Sequence, residues 1–379
     1  MTDRQQHRPA KAAVTLESHI DLRDNALNLM RLVLASSVIV WHSFTVTGHP
    51  LANTHFGQLL GDMPVDGFFA ISGFLLCASW FRKPKLGSFA RNRVLRLVPA
   101  YWTSLLVTAL IAAPVSLALQ SRDAGAAFTG PHSALHYLIS NAALQVNFYD
   151  VSSTPLEVPY PSVWNGSAWT LIWEAYAYIG LAAVAFVGLL RRRGVMVFVA
   201  LVAWGFMTAT DYELIRRNFY IARGSRLGFM FLCGVLLYLY RDRISGRRRV
   251  VVGAGILLLA SVALKDYRVL GAIAVAYLVI WIGGAIRNPR WQLKRVDISY
   301  GMYIYAFPIQ QILVLVGLGS LPPLVFAVVA AAAIAPVATA SWFVIERPAL
   351  RLKAARLPNL GRGRSRQVVV VPAHQSGDT

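Results

Sequence analysis

Arg31, His42, Arg93, Arg96 and Glu174 stand in or beside long apolar runs of the sequence, where an ionisable side chain is costly and marks a functional site unless a partner explains it. Arg31 and His42 are eleven positions apart, which on a helix places them about 20° apart around the axis and roughly 16 Å apart along it. They share a face at different depths. An imidazole exchanges a proton near neutral pH, so His42 is a candidate general base. Glu174, at the end of the run Trp164-Asn165-Gly166-Ser167-Ala168-Trp169-Thr170-Leu171-Ile172-Trp173-Glu174, falls roughly 10 to 12 Å into its helix, close to the depth of His42. A carboxylate there could fix the imidazole tautomer and stabilise the imidazolium that forms. Taken singly, Arg31 reads better as a snorkelling anchor and His42 as a core residue bonded to a backbone carbonyl. The matching depths of His42 and Glu174 favour chemistry.

Arg93 and Arg96 are three apart and project from one helix face. They suit ordinary anchoring at a membrane surface and the clamping of phosphates equally. Asp66-Gly67-Phe68-Phe69-Ala70-Ile71-Ser72-Gly73-Phe74 opens an apolar run with small residues that admit a neighbouring helix, the blander reading, or an extended ligand. Ser299-Tyr300-Gly301-Met302-Tyr303-Ile304-Tyr305 places polar groups where an interfacial aromatic belt is the simpler explanation. Asp66, Ser72, Trp169, Tyr300 and Tyr303 are the candidates to line a substrate cavity. His132 and His136 have the i, i+4 spacing of a metal pair but no third ligand close in sequence, so no metal is expected. Cys77 and Cys233 lie inside apolar runs and indicate core packing rather than a disulfide.

The elements that must hold these residues are membrane helices. Of the 379 residues, 56% are hydrophobic and 14% charged, too apolar for a soluble domain of this length. Segments of spanning length recur, and the reading is an all-α bundle of about ten transmembrane helices near 27–47, 65–81, 98–119, 167–190, 195–210, 227–240, 249–264, 269–286, 298–317 and 323–345. The net charge of +20 comes from short Lys/Arg clusters between alternate helices, which is a topology signal rather than a nucleic-acid footprint. These clusters put both termini in the cytoplasm. The outer connection at 211–226, with Arg216, Arg217, Arg223 and Arg226, breaks the pattern as an exception or a re-entrant piece. The domain plan is a cytoplasmic segment 1–24, a membrane domain 25–350 with an outer cap at about 120–166, and a basic, disordered cytoplasmic tail 351–379. Ser133 to Val146 in the cap has a helical apolar spacing suited to a membrane surface. Glu346-Arg347-Pro348 closes the last helix.

In order along the chain, these residues resemble the acyltransferase-3 family of membrane O-acyltransferases, from about Leu27 to Leu350. The Arg31 to His42 pair carries most of the resemblance. Gly67-Phe68-Phe69-x-x-Ser72-Gly73-Phe74, Arg93-x-x-Arg96 followed by Pro99-x-Tyr101-Trp102, Ser167-Ala168-Trp169-Thr170-Leu171 with Glu174, and Ser299 to Tyr305 carry the rest. Ala306 stands where the family often has a second His, so His42 would act without it. No hydrolase-like domain follows, as in stand-alone members. The resemblance implies an acyl-coenzyme A donor, most often acetyl-CoA, and a carbohydrate or glycolipid acceptor of the cell envelope, at the lipid bilayer of the bacterial inner membrane, with no nucleic acid. It further implies that Arg31, Arg93 and Arg96 hold the coenzyme A phosphates and that His42 and Glu174 are catalytic. A glycolipid transporter or flippase, and an acyltransferase with a lipid or amine acceptor, are the alternatives.

Overall fold

A backbone in lipid must satisfy its own hydrogen bonds, so long apolar runs become helices. The computed structural model describes residues 14–51, 54–216, 218–293 and 296–354. In chain order the main helices are α1 (Leu27–Val46), α2 (His55–Arg82), α3 (Leu86–Leu119), α4 (Ala168–Phe186), α5 (Arg193–Asp211), α6 (Phe219–Leu239), α7 (Arg248–Ser261), α8 (Arg268–Ala285), α9 (Ser299–Ile304), α10 (Ala306–Leu315) and α11 (Pro323–Arg351). Eight of them, all but α7, α9 and α10, are long and apolar enough to cross a membrane. Among the described residues no strand forms, and the only β pairings are the isolated bridges Thr15–Ser245 and Val151–Thr154. This is the make-up of a multi-pass integral membrane protein.

Several helices begin earlier than hydropathy indicates. α2 starts at His55 rather than 65, where the Thr54 hydroxyl accepts the Gly57 N–H at 2.9 Å. α3 starts at Leu86 rather than 98, so Arg93 and Arg96 lie on the same continuous helix as Tyr101. α6 starts at Phe219 rather than 227, capped by the Asn218 side chain. Arg223 and Arg226 are therefore helical, and the 211–226 segment is neither an exceptional loop nor a re-entrant piece over its second half. The expected ninth helix is two helices meeting at Tyr305. Pro308 lacks the N–H that would bond the Ile304 carbonyl, and the Ser104 hydroxyl donates to that carbonyl instead, at 3.4 Å. α11 runs through Glu346-Arg347-Pro348 by way of a π-turn at Trp342–Glu346, with Glu346 buried.

α2 and α6 touch at their backbones. A Cβ on Gly73 would stand 2.0 Å from the Phe231 carbonyl oxygen, and one on Gly234 would stand 1.9 Å from that of Ala70. Only glycine allows this approach, and it settles the small-residue pattern around Gly73 as helix packing.

At the arginine-rich end, residues 14–26 form an ordered strap. Leu16 is fully buried, its N–H donates to Ile244, and His19 stacks on Trp281 with centroids 4.5 Å apart. At the opposite end the 120–166 connection folds over the bundle. Its Trp164 is fully buried and donates to Thr154, while Tyr101 donates to the Asn141 carbonyl at 2.7 Å. The surface helix expected there is shorter, Ala134–Asn141, with Leu135 and Ile139 about two-thirds exposed (66% and 67%). His132 meets Asp150 at 2.9 Å. Residues 1–13 and the tail beyond 354 lie outside the described residues, as do Arg217, Lys294 and Arg295.

Candidate active site

A cavity of about 300 Å³ opens among α1, α2, α3, α4 and α9, with Leu350 and Lys353 at its edge. It brings together seven of the ten residues singled out from sequence: Arg31, Arg93, Arg96, Glu174, Ser72, Tyr300 and Tyr303. Helical spacing explains the convergence. Val65, Phe68, Phe69, Ser72 and Ser79 supply one face of α2, and Arg93, Arg96 and Leu97 one face of α3.

The three arginines are not equivalent. Arg96 binds Asp297 at 2.7 Å, lies 3.9 Å from Glu346 and sits over the Tyr300 ring at 5.9 Å. Arg31 reaches the same Asp297 oxygen at 3.7 Å. Burial pushes the Asp297 carboxyl up, but Arg96 and Arg31, helped by the Ser299 hydroxyl, outweigh it and hold it below the usual carboxylate range. Arg93 makes no ion pair among the described residues. Its guanidinium lies 5.8 Å from both the Phe89 and Tyr178 rings, and its Nε is buried without a hydrogen-bond partner. Arg82 and Lys353, which sequence reasoning missed, also face the cavity. Burial, with Arg93 and Arg96 nearby, pushes the Lys353 ammonium down to about 8. Five cations thus face two carboxylates, Glu174 and Asp297, around one cavity.

Glu174 accepts hydrogen bonds from the Tyr178 hydroxyl and, at 3.5 Å, from Ser72. Tyr300 donates to the Leu97 carbonyl at 2.8 Å. Tyr303 donates to the Ser167 carbonyl at 2.7 Å, shares a hydrogen bond with the Thr170 hydroxyl, and packs edge-on against Phe68.

His42, Asp66 and Trp169 are not in the cavity wall. The His42 ring stands edge-on to Phe307, 5.1 Å between centroids, and its buried Nδ1 has no hydrogen-bond partner. Phe307 lies four residues beyond the cavity-lining Tyr303, across the break at Tyr305, and is itself outside the cavity wall. Among the described residues no hydrogen bond or ion pair joins His42 to Glu174. The dyad read from matching depths is not formed in this structure, where the bonds to Glu174 come from Tyr178 and Ser72, both at Oε1. Asp66 is fully buried elsewhere, bonded to Arg268 at 2.6 Å and to Tyr267 and Arg226. Trp169 lies under the Arg223 guanidinium at 4.4 Å. The described residues contain no cluster of three or more His, Cys, Asp or Glu placed to hold a metal ion.

Membrane helices around a cationic cavity, with an imidazole beyond it, leave several chemistries open, and sequence comparison decides among them. The family model for an acyltransferase domain, Acyl_transf_3, matches residues 24–343. The chain belongs to the acyltransferase-3 family. It is similar to an O-acetyl transferase of Shigella phage Sf6, 27% identical over 303 residues that cover 77% of this chain and 86% of the relative. It is also similar to nodulation protein 10 of Rhizobium leguminosarum bv. viciae, 27% identical over 360 residues that cover 87% of this chain and 94% of the relative. No solved structure matches it significantly. The protein is a membrane acyltransferase, and the transporter alternative falls away.

Proposed function

We propose that this acyltransferase carries an acyl group, acetyl in the first instance, from acyl-coenzyme A to a carbohydrate hydroxyl of an envelope or exported glycan. The observation that carries the reading is the surplus of cations around the cavity, with Arg93 lacking an ion-pair partner. Phosphates would complete that set. The O-acetyl transferase relative supports acetyl as the group moved. The Arg-rich end is assigned to the cytoplasm by the positive-inside rule, which is also where coenzyme A is found. Counting α7, and α9 with α10, as further crossings gives ten and leaves both chain ends on that side of the inner membrane, around one membrane domain spanning 25–350.

In the reaction His42 takes the proton of the acceptor hydroxyl as its oxygen attacks the thioester carbonyl carbon. The new C–O bond forms, the C–S bond breaks, and the departing thiolate receives the proton. Arg93, Lys353 and Arg82 hold the donor's phosphates, with Arg31 and Arg96 braced by Asp297 beside them. Glu174 is the second catalytic candidate. Its bonds from Tyr178 and Ser72 both fall on Oε1, which leaves Oε2 to accept from the imidazole if the two side chains approach.

Transfer from labelled acetyl-CoA, measured on purified protein, tests the assignment. His42→Ala is expected to lower kcat by about 10² to 10⁴-fold with coenzyme A binding retained. Near-normal transfer would sink the role of His42.

A further inference from the structure

Beyond His42, away from the arginine-rich end, aromatic rings continue where the cavity stops. Phe307 stands between His42 and Tyr160, 5.9 Å from the latter, and the Tyr160 side is 40% exposed. The backbone around Tyr160 is pinned. Gln311 donates to the carbonyls of Tyr160 and Val163 at 2.6 and 2.9 Å, and Pro159 packs 3.3 Å from where a Cβ on Gly48 would be. On the other flank, Gly166 lies so close to Phe307 that a Cβ would fall 2.6 Å from its ring, and three residues later Trp169 carries the Arg223 guanidinium.

Several buried polar atoms lack partners on the elements around His42: its own Nδ1, and Oε1 of Gln58, Gln310 and Gln311. Gln58 lies seven residues before Val65 and eleven before Phe69, which on a helix puts it within about 20° of each, on the face of α2 that lines the cavity one to two turns further in. A buried acceptor without a donor is costly, and a ligand hydroxyl would relieve it.

A sugar ring has C–H faces that pack on aromatic rings and a hydroxyl edge that needs hydrogen-bond partners. Partly exposed rings beside unpartnered acceptors and a cation match that chemistry. A lipid acyl chain would leave every one of those polar groups unmatched. We infer that Tyr160 and Trp169, with Arg223 and Gln58, form an acceptor vestibule in which a pyranose ring packs on the aromatic faces and presents a hydroxyl to His42. The inference rests on the glycan acyltransferase reading and adds to it the place where the acceptor binds.

The test uses the full chain in lipid nanodiscs, labelled acetyl-CoA, and envelope polysaccharide from cells lacking the gene, stripped of O-acyl esters by mild alkali. Tyr160→Ala and Trp169→Ala are expected to raise the KM for polysaccharide at least tenfold while the KM for acetyl-CoA stays within twofold. Tyr160→Phe, which keeps the ring, should behave as wild type. An unchanged polysaccharide KM in both alanine variants overturns the vestibule, as does a parallel rise in both constants, the mark of a merely structural role. Wild-type protein that labels no polysaccharide, or labels membrane lipid instead, overturns the reading beneath it.

Discussion

Two clusters of buried charge lie at different levels of this bundle, and they are built on opposite principles. In one, Arg268 is 1% exposed and bonds Asp62 at 2.6 Å, Asp66 at 2.6 Å and Asp266 at 3.0 Å, while Arg226 bonds Asp62 at 3.0 Å and Asp66 at 3.4 Å. Each guanidinium is divided among carboxylates, and Tyr267 adds a hydroxyl to Asp66. In the other, Arg93 faces open space with rings rather than carboxylates beside it, and Lys353 and Arg82 add positive charge. Saturated charge ties α2, α6 and α8 together. Surplus charge beside a cavity waits for an anion. What separates structure from function is therefore the balance of partners around a buried charge, not the burial itself.

The largest expected effect lies on the saturated side. Arg268→Ala leaves Asp266 without its arginine and Asp62 and Asp66 with Arg226 alone, and should cost about 3 to 5 kcal/mol of stability, read as a large drop in the unfolding midpoint in detergent. A stable Arg268→Ala protein with altered donor binding would break the comparison. Asp66→Asn keeps the shape and loses one charge, so a smaller loss of about 1 to 3 kcal/mol is expected, with the KM for acetyl-CoA unchanged. On the surplus side, Lys353 should register as pH dependence. Its ammonium, with a pKa lowered to about 8, is charged below that pH and neutral above it, so donor affinity should fall as pH rises through 8. Lys353→Met should bind more weakly below pH 8 and lose that step, and a step that persists in Lys353→Met would assign the titration elsewhere.

The sequence made the helices and most of the cavity legible for the same physical reason. An ionisable or hydroxyl-bearing residue in an apolar run must face protein, and helical spacing then says which such residues share a face. Arg31, Arg93, Arg96 and Glu174 follow from that rule, whereas Ser72, Tyr300 and Tyr303 rested on the runs that carry the family resemblance. Asp66 was misplaced because its partners, Arg226 and Arg268, are 160 and 202 residues away, and sequence spacing carries no such contact. Lys353 was missed because a cation just past a membrane helix looks like any other anchor. The early starts of α2, α3 and α6 escaped hydropathy because the added turns carry Asp62 in α2, Arg91, Arg93 and Arg96 in α3, and Arg223 and Arg226 in α6, which lower the local hydropathy. The His42–Glu174 pairing followed from depth alone, and depth does not say which way a side chain turns.

Titration of coenzyme A onto the purified wild-type chain and Arg93→Gln tests the central claim most directly. The account predicts that Arg93→Gln raises Kd at least tenfold, about 1.4 kcal/mol, with the unfolding midpoint unmoved. Equal Kd values for the two proteins, or a loss of stability in place of a loss of affinity, would contradict it.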